Sequence, residues 1–388
     1  MRYVLVIIAF FMQFGLSHAQ EFTTNARAAY VYDLTTDTVL LEKNANQALP
    51  PASMSKLMTV YMTFEALRDG RLSLNERLPV SQHAMNYGGS TMFLTTRDRV
   101  SVLDLLKGVI ILSGNDACAV LAEALSTNGT EEHFATMMTE RARALGMENS
   151  TFGNSNGWPH PKQRMSMRDL GILAARLLSD FPEHYYLFAE REFLFDGRAP
   201  DNKNNRNPLL KLGIGADGFK TGHTQEAGYG LVGSAQKGDR RVIAVITGLE
   251  SERERATEAE RIMTWAFRQF TLQTQAKKNQ PIADLPVYRG QQSSVKAVLS
   301  EDIVTLKSVT GTDETITEII YNTPLIAPIN AGDEIGTLTV KNGTLLATRH
   351  KLIAGEDVAK GGFLNRIGTA FRTVNANIMG LFGAADAQ

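Results

Sequence analysis

The sequence has little cysteine and no cluster of metal-binding residues. Cys118 is the only cysteine among 388 residues, so the chain forms no internal disulfide. The seven histidines are dispersed without the spacing of metal ligands, and no segment resembles a nucleotide-binding loop. We therefore expect neither a metal nor another cofactor. Cys118 itself is either a small buried helix residue or a reactive thiol near a site.

An excess of charge of one sign is also missing. The 40 Lys and Arg residues balance 41 Asp and Glu residues, which leaves a net charge of −1. This balance gives no broad positive field, and we expect no nucleic-acid partner. The apolar fraction of 43% and the charged fraction of 21% are typical of a soluble globular protein. The length is sufficient for two ordinary domains.

No apolar run is long enough to cross a bilayer, and the most apolar segment is a short one at the N-terminus. It extends from Val4 to Met12 and is followed by Ser17-His18-Ala19, with small residues where a signal peptidase recognises them. This pattern predicts a signal peptide over residues 1–19, with an uncleaved N-terminal anchor as the alternative. Export with a single cysteine favours the bacterial periplasm. We expect the protein at the periplasmic face of the inner membrane.

The periodicity predicts an α+β fold with three parts after the leader. A β-hairpin around Thr35-Thr36-Asp37, several helices and then three antiparallel strands indicate a sheet covered by helices over residues 20–276. Polar residues and two prolines in "LQTQAKKNQPIADLP" mark a boundary. Residues 277–360 have the short alternating strands of a small all-β domain.

The last segment, residues 361–388, has the pattern of an amphipathic helix. Its apolar residues recur at spacings of three and four: Phe363, Leu364, Ile367, Phe371, Val374, Ile378 and Leu381. Such a helix either docks on the core of its own protein or lies in a membrane surface. The Gly361-Gly362 hinge, the large apolar residues and the arginines on the polar face favour a membrane anchor.

Three short motifs suggest a common chemistry. Ser53-Met54-Ser55-Lys56 opens an apolar helix, Ser113-Gly114-Asn115 interrupts another helical pattern, and Lys220-Thr221-Gly222 lies on a strand. A serine hydroxyl is a poor nucleophile until a neighbouring base takes its proton, and Lys56 lies one turn after Ser53. Burial and a second cation, for which Lys220 is the candidate, would keep Lys56 partly neutral. A lysine on a helix surface is the alternative for this motif taken alone.

The remaining motif residues fit the same chemistry. Ser113 can relay a proton between Lys56 and a leaving amine, and Asn115 offers an amide to a substrate backbone. Lys220 and Thr221 can bind a carboxylate, and Gly222 would let a substrate backbone approach closely.

The three motifs, in this order, are similar to those of penicillin-binding serine hydrolases, most closely the low-molecular-mass D-alanyl-D-alanine carboxypeptidases. The similarity extends through "MFLTTRDRVSVLDLLKGVIILSGNDACAVLAEAL" and "ADGFKTGHTQEAGYGLVGSA" to the C-terminal helix. The resemblance implies a penicillin-binding/β-lactamase-like domain. It also implies that D-alanine is removed from peptidoglycan stem peptides through an acyl-enzyme, and that β-lactams inhibit covalently.

The resemblance also implies a role for each matching position. Ser53 would be the nucleophile, Lys56 its base and Ser113 the second hydroxyl in proton transfer. Asn115 would contact substrate, while Lys220, Thr221 and Arg206 would hold its carboxylate. The oxyanion hole would consist of the backbone N–H groups of Ser53 and His223, and we expect the His223 side chain only to shape the pocket.

Three alternatives use the same residues. The site could act as a D,D-endopeptidase or transpeptidase on cross-links, or the protein could be a penicillin-binding wall scaffold with little turnover. A β-lactamase is disfavoured because the sequence has no convincing match to the glutamate-bearing loop of the class A enzymes.

Overall fold

The structure is a computed structural model that describes residues 22–362, apart from 199, 310–314, 344 and 346. The predicted signal peptide, residues 1–19, and the predicted amphipathic helix from residue 363 onward lie outside the described residues. Within the described ranges, no helix is both long and apolar enough to cross a membrane.

The strands and helices of the described residues follow in chain order. The strands are β1 Ala28–Asp33, β2 Thr38–Lys43, β3 Arg77–Pro79, β4 Arg99–Ser101, β5 Ala216–Thr224, β6 Gly228–Lys237, β7 Arg240–Leu249, β8 Phe270–Ala276, β9 Pro281–Tyr288, β10 Ser294–Leu299, β11 Ile303–Ser308, β12 Thr315–Ile320, β13 Leu325–Ile326, β14 Glu334–Asn342 and β15 Thr348–Ala354. The α-helices are α1 Lys56–Arg68, α2 Gln82–Met85, α3 Val102–Lys107, α4 Asn115–Leu125, α5 Glu131–Ala144, α6 Met167–Asp180 and α7 Glu252–Gln269.

A five-stranded antiparallel sheet of order β2-β1-β7-β6-β5 organises the first part of the chain. Its inner strands β1, β7 and β6 are buried on both faces over most of their length. In β1, Ala28 and Tyr30 face the core formed with α1 and α3 to α6, whereas Ala29 and Val31 face the core formed with α7. The sequence predicts this sheet and the hairpin of β1 and β2, and the structure confirms both.

Helix α1 lies at the centre of the larger core. The sequence predicts one apolar face, but nearly the whole helix is buried, including polar residues such as Lys56, Thr59 and Thr63. A polar group buried in this way needs a hydrogen-bond partner. Thr63 bonds the carbonyl of Thr59 one turn earlier, whereas Lys56 and Thr59 have partners outside the helix.

The predicted break between two helical pieces is present at Ser113. Helix α3 continues into a π-helical turn, Gly108–Leu112, and Ser113 has a left-handed backbone with φ of 62° before α4 begins at Asn115. A π-turn carries more residues per turn than an α-helix and often marks a functional site. Here it projects the Ser113 hydroxyl out of the helical ladder.

The C-terminal part is all β, as predicted. Six strands form a sheet of order β12-β14-β15-β10-β9-β13, and β8 pairs with β11 in a separate ribbon. Because β8 precedes the boundary predicted at residue 277, the ribbon joins the end of the first part to the second. Phe270 in β8 also accepts a hydrogen bond of 2.7 Å from the Arg240 guanidinium in β7.

Candidate active site

Ser53 and Lys56 lie together where the chain enters α1. Ser53 is half-buried on a single 3-10 turn, Ala52–Ser55, and Lys56 is the first residue of the α-helix. The Lys56 Nζ lies 2.9 Å from the Ser53 Oγ. Lys56 is 0% exposed, which excludes the alternative of a lysine on a helix surface.

Two further acceptors surround the Lys56 amine. Its Nζ donates to the Asn115 Oδ1 at 2.7 Å and to the Asn156 carbonyl at 2.5 Å. A neutral lysine has two N–H donors and one lone pair. When the neutral amine gives both donors to these acceptors, its lone pair is left for the Ser53 hydroxyl, as a general base requires.

Burial is the main reason why this amine is poised to lose its proton. It lowers the pKa of Lys56 to about 8, and the nearby Arg206 guanidinium adds to the effect. The sequence predicts burial and a second cation as the causes; burial is confirmed, but the second cation is Arg206 and not the predicted Lys220. The pKa of Lys220 is itself held well below its ordinary value, by burial and then by the charge of Lys56.

Ser113 and Lys220 form a second pair of hydroxyl and amine. The Lys220 Nζ donates to the Ser113 Oγ at 3.0 Å and to the Thr221 carbonyl at 3.1 Å, and both side chains are buried. The amine that is hydrogen-bonded to Ser113 in the structure is therefore that of Lys220. The sequence analysis suggested instead that Ser113 exchanges a proton with Lys56.

Two predicted substrate contacts, Asn115 and Gly222, border the cavities at Ser53 and also have a structural role. The Asn115 amide is engaged on both sides, since its Oδ1 accepts from Lys56 and its Nδ2 donates to the Gly88 carbonyl at 2.8 Å. It therefore positions Lys56. Gly222 is small because the Ser53 turn packs against it: a Cβ there would lie 3.0 Å from the Pro51 carbonyl oxygen and 3.2 Å from the Ala52 Cβ.

Arg206 joins the site from a distant part of the sequence. Its guanidinium donates to the Ser90 Oγ at 2.9 Å and to the Leu112 carbonyl at 3.1 Å. It borders a cavity of about 360 Å³ beside Ser53. That cavity is lined by Ser53, Ser90, Ser113, Arg206, Thr221, Gly222, His223, Tyr229, Glu252 and Arg255. Most of the predicted site residues thus meet around this cavity. Asn115 borders a neighbouring cavity that Ser53 also borders, whereas Lys56 and Lys220 are buried and contact Ser53 and Ser113.

His223 is exposed and stacks on Tyr229, with ring centroids 3.9 Å apart. It lies between the cavity beside Arg206 and a neighbouring one of about 280 Å³, and Ser53 borders both. This position fits the expectation that its side chain shapes the pocket.

Comparison with known proteins identifies the family. The family model described as D-alanyl-D-alanine carboxypeptidase matches residues 16–251, and the one described as penicillin-binding protein 5, C-terminal domain, matches residues 270–360. The chain belongs to the D-alanyl-D-alanine carboxypeptidase family. The first match includes all three motifs, and the second begins at β8.

Individual relatives agree with this assignment along most of the chain. D-alanyl-D-alanine carboxypeptidase DacC of Escherichia coli is 37% identical over 89% of this chain and 87% of its own. Penicillin-binding protein 5 of Haemophilus influenzae superposes with a TM-score of 0.76 at 31% identity, covering 87% of this chain and 98% of that one. Penicillin-binding protein D2 of Listeria monocytogenes in its ampicillin-bound form has a TM-score of 0.56 at 31% identity, covering 62% and 97%.

Several residues of this carboxypeptidase site were missed by the sequence analysis. Asn156 contributes a backbone carbonyl, which no side-chain pattern signals. Ser90 and Arg255 come from segments without a motif, and Arg255 is buried at the cavity beside Arg206. Their arrangement depends on the tertiary packing of two loops and of helix α7, which are distant in sequence.

Of the two alternatives for Cys118, a small buried helix residue or a reactive thiol, the structure supports the first. It lies within α4 with no exposed surface, and burial raises the pKa of its thiol to about 12. A thiol in this state is not a reactive nucleophile. Among the described residues, no three potential metal ligands come together.

Proposed function

We propose that Ser53 is the acylated nucleophile of this carboxypeptidase and that Lys56 is its general base. The observation that carries the proposal is the 2.9 Å contact between the Ser53 hydroxyl and a fully buried lysine amine whose other two partners are acceptors. The Ser53 oxygen attacks the carbonyl of the penultimate D-alanine, and its proton passes to the Lys56 Nζ.

Collapse of the tetrahedral intermediate requires a proton on the leaving amine. Ser113 donates it and is reprotonated by Lys220, with which it shares a hydrogen bond of 3.0 Å. The C–N bond breaks and D-alanine leaves. Water then attacks the ester carbonyl and loses a proton, which returns through Ser113 to Lys220. The Ser53 oxygen leaves and takes its proton back from Lys56, so that both lysines and Ser53 return to their starting states.

Substrate recognition depends on positive charge beside Ser53. Arg206, Thr221 and the buried Arg255 border the same cavity, and a terminal carboxylate placed there would meet cationic donors. Backbone N–H groups of Ser53 and His223 would bind the developing oxyanion. The same features would accept the carboxylate and the strained carbonyl of a β-lactam.

Product analysis separates this function from the alternative cleavage of cross-links. The purified protein would be incubated with a stem peptide ending in D-Ala–D-Ala and, separately, with cross-linked peptide dimers. The proposal predicts free D-alanine from the first and little change in the second. Loss of dimers without release of D-alanine would assign the site to an endopeptidase instead.

We further propose export and attachment to a membrane surface. The apolar run with small residues before Gln20 supports a signal peptide over residues 1–19. The amphipathic pattern after Gly362 supports an interfacial helix. Both fit a substrate in the periplasm, at the outer face of the inner membrane.

A further inference from the structure

Lys56 donates one of its hydrogen bonds to a loop that is separately fixed to α1. Two consecutive carbonyls of this loop face the helix: that of Asn156 accepts from the Lys56 Nζ at 2.5 Å, and that of Ser155 accepts from the Thr59 Oγ1 at 2.6 Å. Lys56 and Thr59 are one turn apart on α1. The position of the Lys56 amine is therefore coupled to the position of the two-residue segment Ser155-Asn156.

A buried carboxylate binds the same loop segment through the N–H and the side chain of Ser155. Glu131, the first residue of α5, is 6% exposed. Its Oε1 accepts from the Ser155 backbone N–H at 2.9 Å and from the Ser155 Oγ at 2.5 Å. Its Oε2 accepts from the Tyr87 hydroxyl at 2.7 Å and from the His83 ring at 2.6 Å.

The carboxylate is suited to this task for two reasons. An ionised carboxylate is a pure acceptor with room for about four donors, and these four contacts occupy both of its oxygens. A fifth and longer contact, of 3.5 Å, comes from the Asn156 Nδ2. Its location at the start of α5 places the negative charge at the positive end of the helix. A neutral amide of the same shape could accept at one atom only and would oppose the donors at the other.

We propose that Glu131 is a positioning residue for Lys56, which it orients through the segment Ser155-Asn156. Glu131 touches neither Ser53 nor the cavity beside it, so its effect is on the geometry of the base. This inference rests on the proposed role of Lys56 as the base of acylation. Misplacement of a reacting group by about 1 Å can cost about 100-fold in rate.

Acylation by a fluorescent penicillin tests the proposal, because saturation kinetics separate the dissociation constant from the acylation rate constant. Glu131→Gln is expected to lower the rate constant by about 10- to 100-fold and to change the dissociation constant little. Ser155→Ala, a smaller change that keeps the backbone contact to Glu131, is expected to lower it by about 3- to 10-fold. If Glu131 only stabilised the fold, the loss of activity would not be confined to the acylation rate constant.

Asp169→Asn is the matched control. Asp169 is also buried in the first turn of a helix, α6, and it accepts from the Asn149 backbone N–H at 2.8 Å and the Ser150 Oγ at 2.7 Å. It lines neither cavity at Ser53. Its variant is expected to be less stable but to acylate at the wild-type rate, measured below the melting temperature of all variants.

Two results would overturn the inference: wild-type acylation by Glu131→Gln and Ser155→Ala, or an equal loss in Asp169→Asn. Either would leave the proposed function intact if the wild-type chain is acylated at Ser53. A wild-type chain that is not acylated at all would overturn both proposals together.

Discussion

At the residue scale, the site contains two lysines that are buried without a carboxylate partner. Burying an ammonium group disfavours its charge, so the fold itself lowers the pKa of both amines. Lys56 faces the nucleophile and Lys220 faces the second hydroxyl, with oxygen acceptors completing each set of contacts. The acid–base chemistry thus follows from where α1 and β5 are packed.

The pH dependence of acylation follows from the pKa of about 8 at Lys56. A base must be neutral, and below its pKa the neutral fraction falls tenfold for each pH unit, to about a tenth at pH 7. We expect the acylation rate constant to rise about tenfold per pH unit up to about pH 8 and then to level off. Stopped-flow measurements on the wild-type protein would show this profile.

Lys56→Ala is the corresponding control and is expected to show no acylation at any pH in that range. A wild-type rate that does not change between about pH 6 and pH 8 would contradict the assignment of Lys56 as the base.

At the element scale, the site depends on how closely three irregular segments approach one another. The 3-10 turn of Ser53, the π-turn before Ser113 and the loop at Asn156 all lie between regular elements. The sequence predicts the break at Ser113, because poor helix formers interrupt an apolar helical pattern there. It places Ser53 at the start of a helix but does not predict the 3-10 turn. The Asn156 loop was not predictable, since its contribution is a backbone carbonyl fixed by Glu131.

Gly157→Ala tests the packing of the Asn156 loop against the Ser53 turn. Gly157 has a φ of 84°, and a Cβ there would lie 2.0 Å from the Ala52 carbonyl oxygen and 2.7 Å from the Ser55 Oγ. The Ser53 turn must shift to admit the methyl group, so we expect acylation to slow by about 100-fold. The acylation rate constant and the unfolding midpoint would both be measured.

Gly146→Ala is a close control, because Gly146 also has a φ of 84° and has open space where its Cβ would lie. It carries the same backbone strain, about 1–2 kcal/mol, without the clash. We expect this variant to lose stability but not acylation rate. Similar acylation in the two variants would show that the Ser53 turn is not constrained by Gly157.

At the scale of the whole molecule, the sequence predicts the α+β architecture and the all-β C-terminal part because periodicity and turn residues record local structure well. The sequence predicts that the three motifs share one site only because all three occur together, since Ser53, Ser113 and Lys220 are far apart in the chain. It does not reveal that Arg206 is the main cation acting on Lys56 or that Gly222 accommodates the Ser53 turn. Both depend on distances that only the packed structure supplies.

Removal of residues 361–388 tests the proposed membrane anchor. The truncated protein retains the sheets, cores and cavities described above, so we expect unchanged acylation and D-alanine release. Without the amphipathic segment it is expected to lose sedimentation with anionic lipid vesicles, which the mature full-length chain should show. Sedimentation of the truncated protein to the same extent would contradict the anchor.

The most direct test of the central claim is to locate the acyl group. The mature wild-type protein and Ser53→Ala would each be incubated with a fluorescent penicillin, digested and mapped by mass spectrometry, with D-alanine release from a stem peptide measured in parallel. The account predicts one adduct, on the peptide containing Ser53, together with D-alanine release, and neither in Ser53→Ala. An adduct on another residue, or D-alanine release by Ser53→Ala at the wild-type rate, would contradict it.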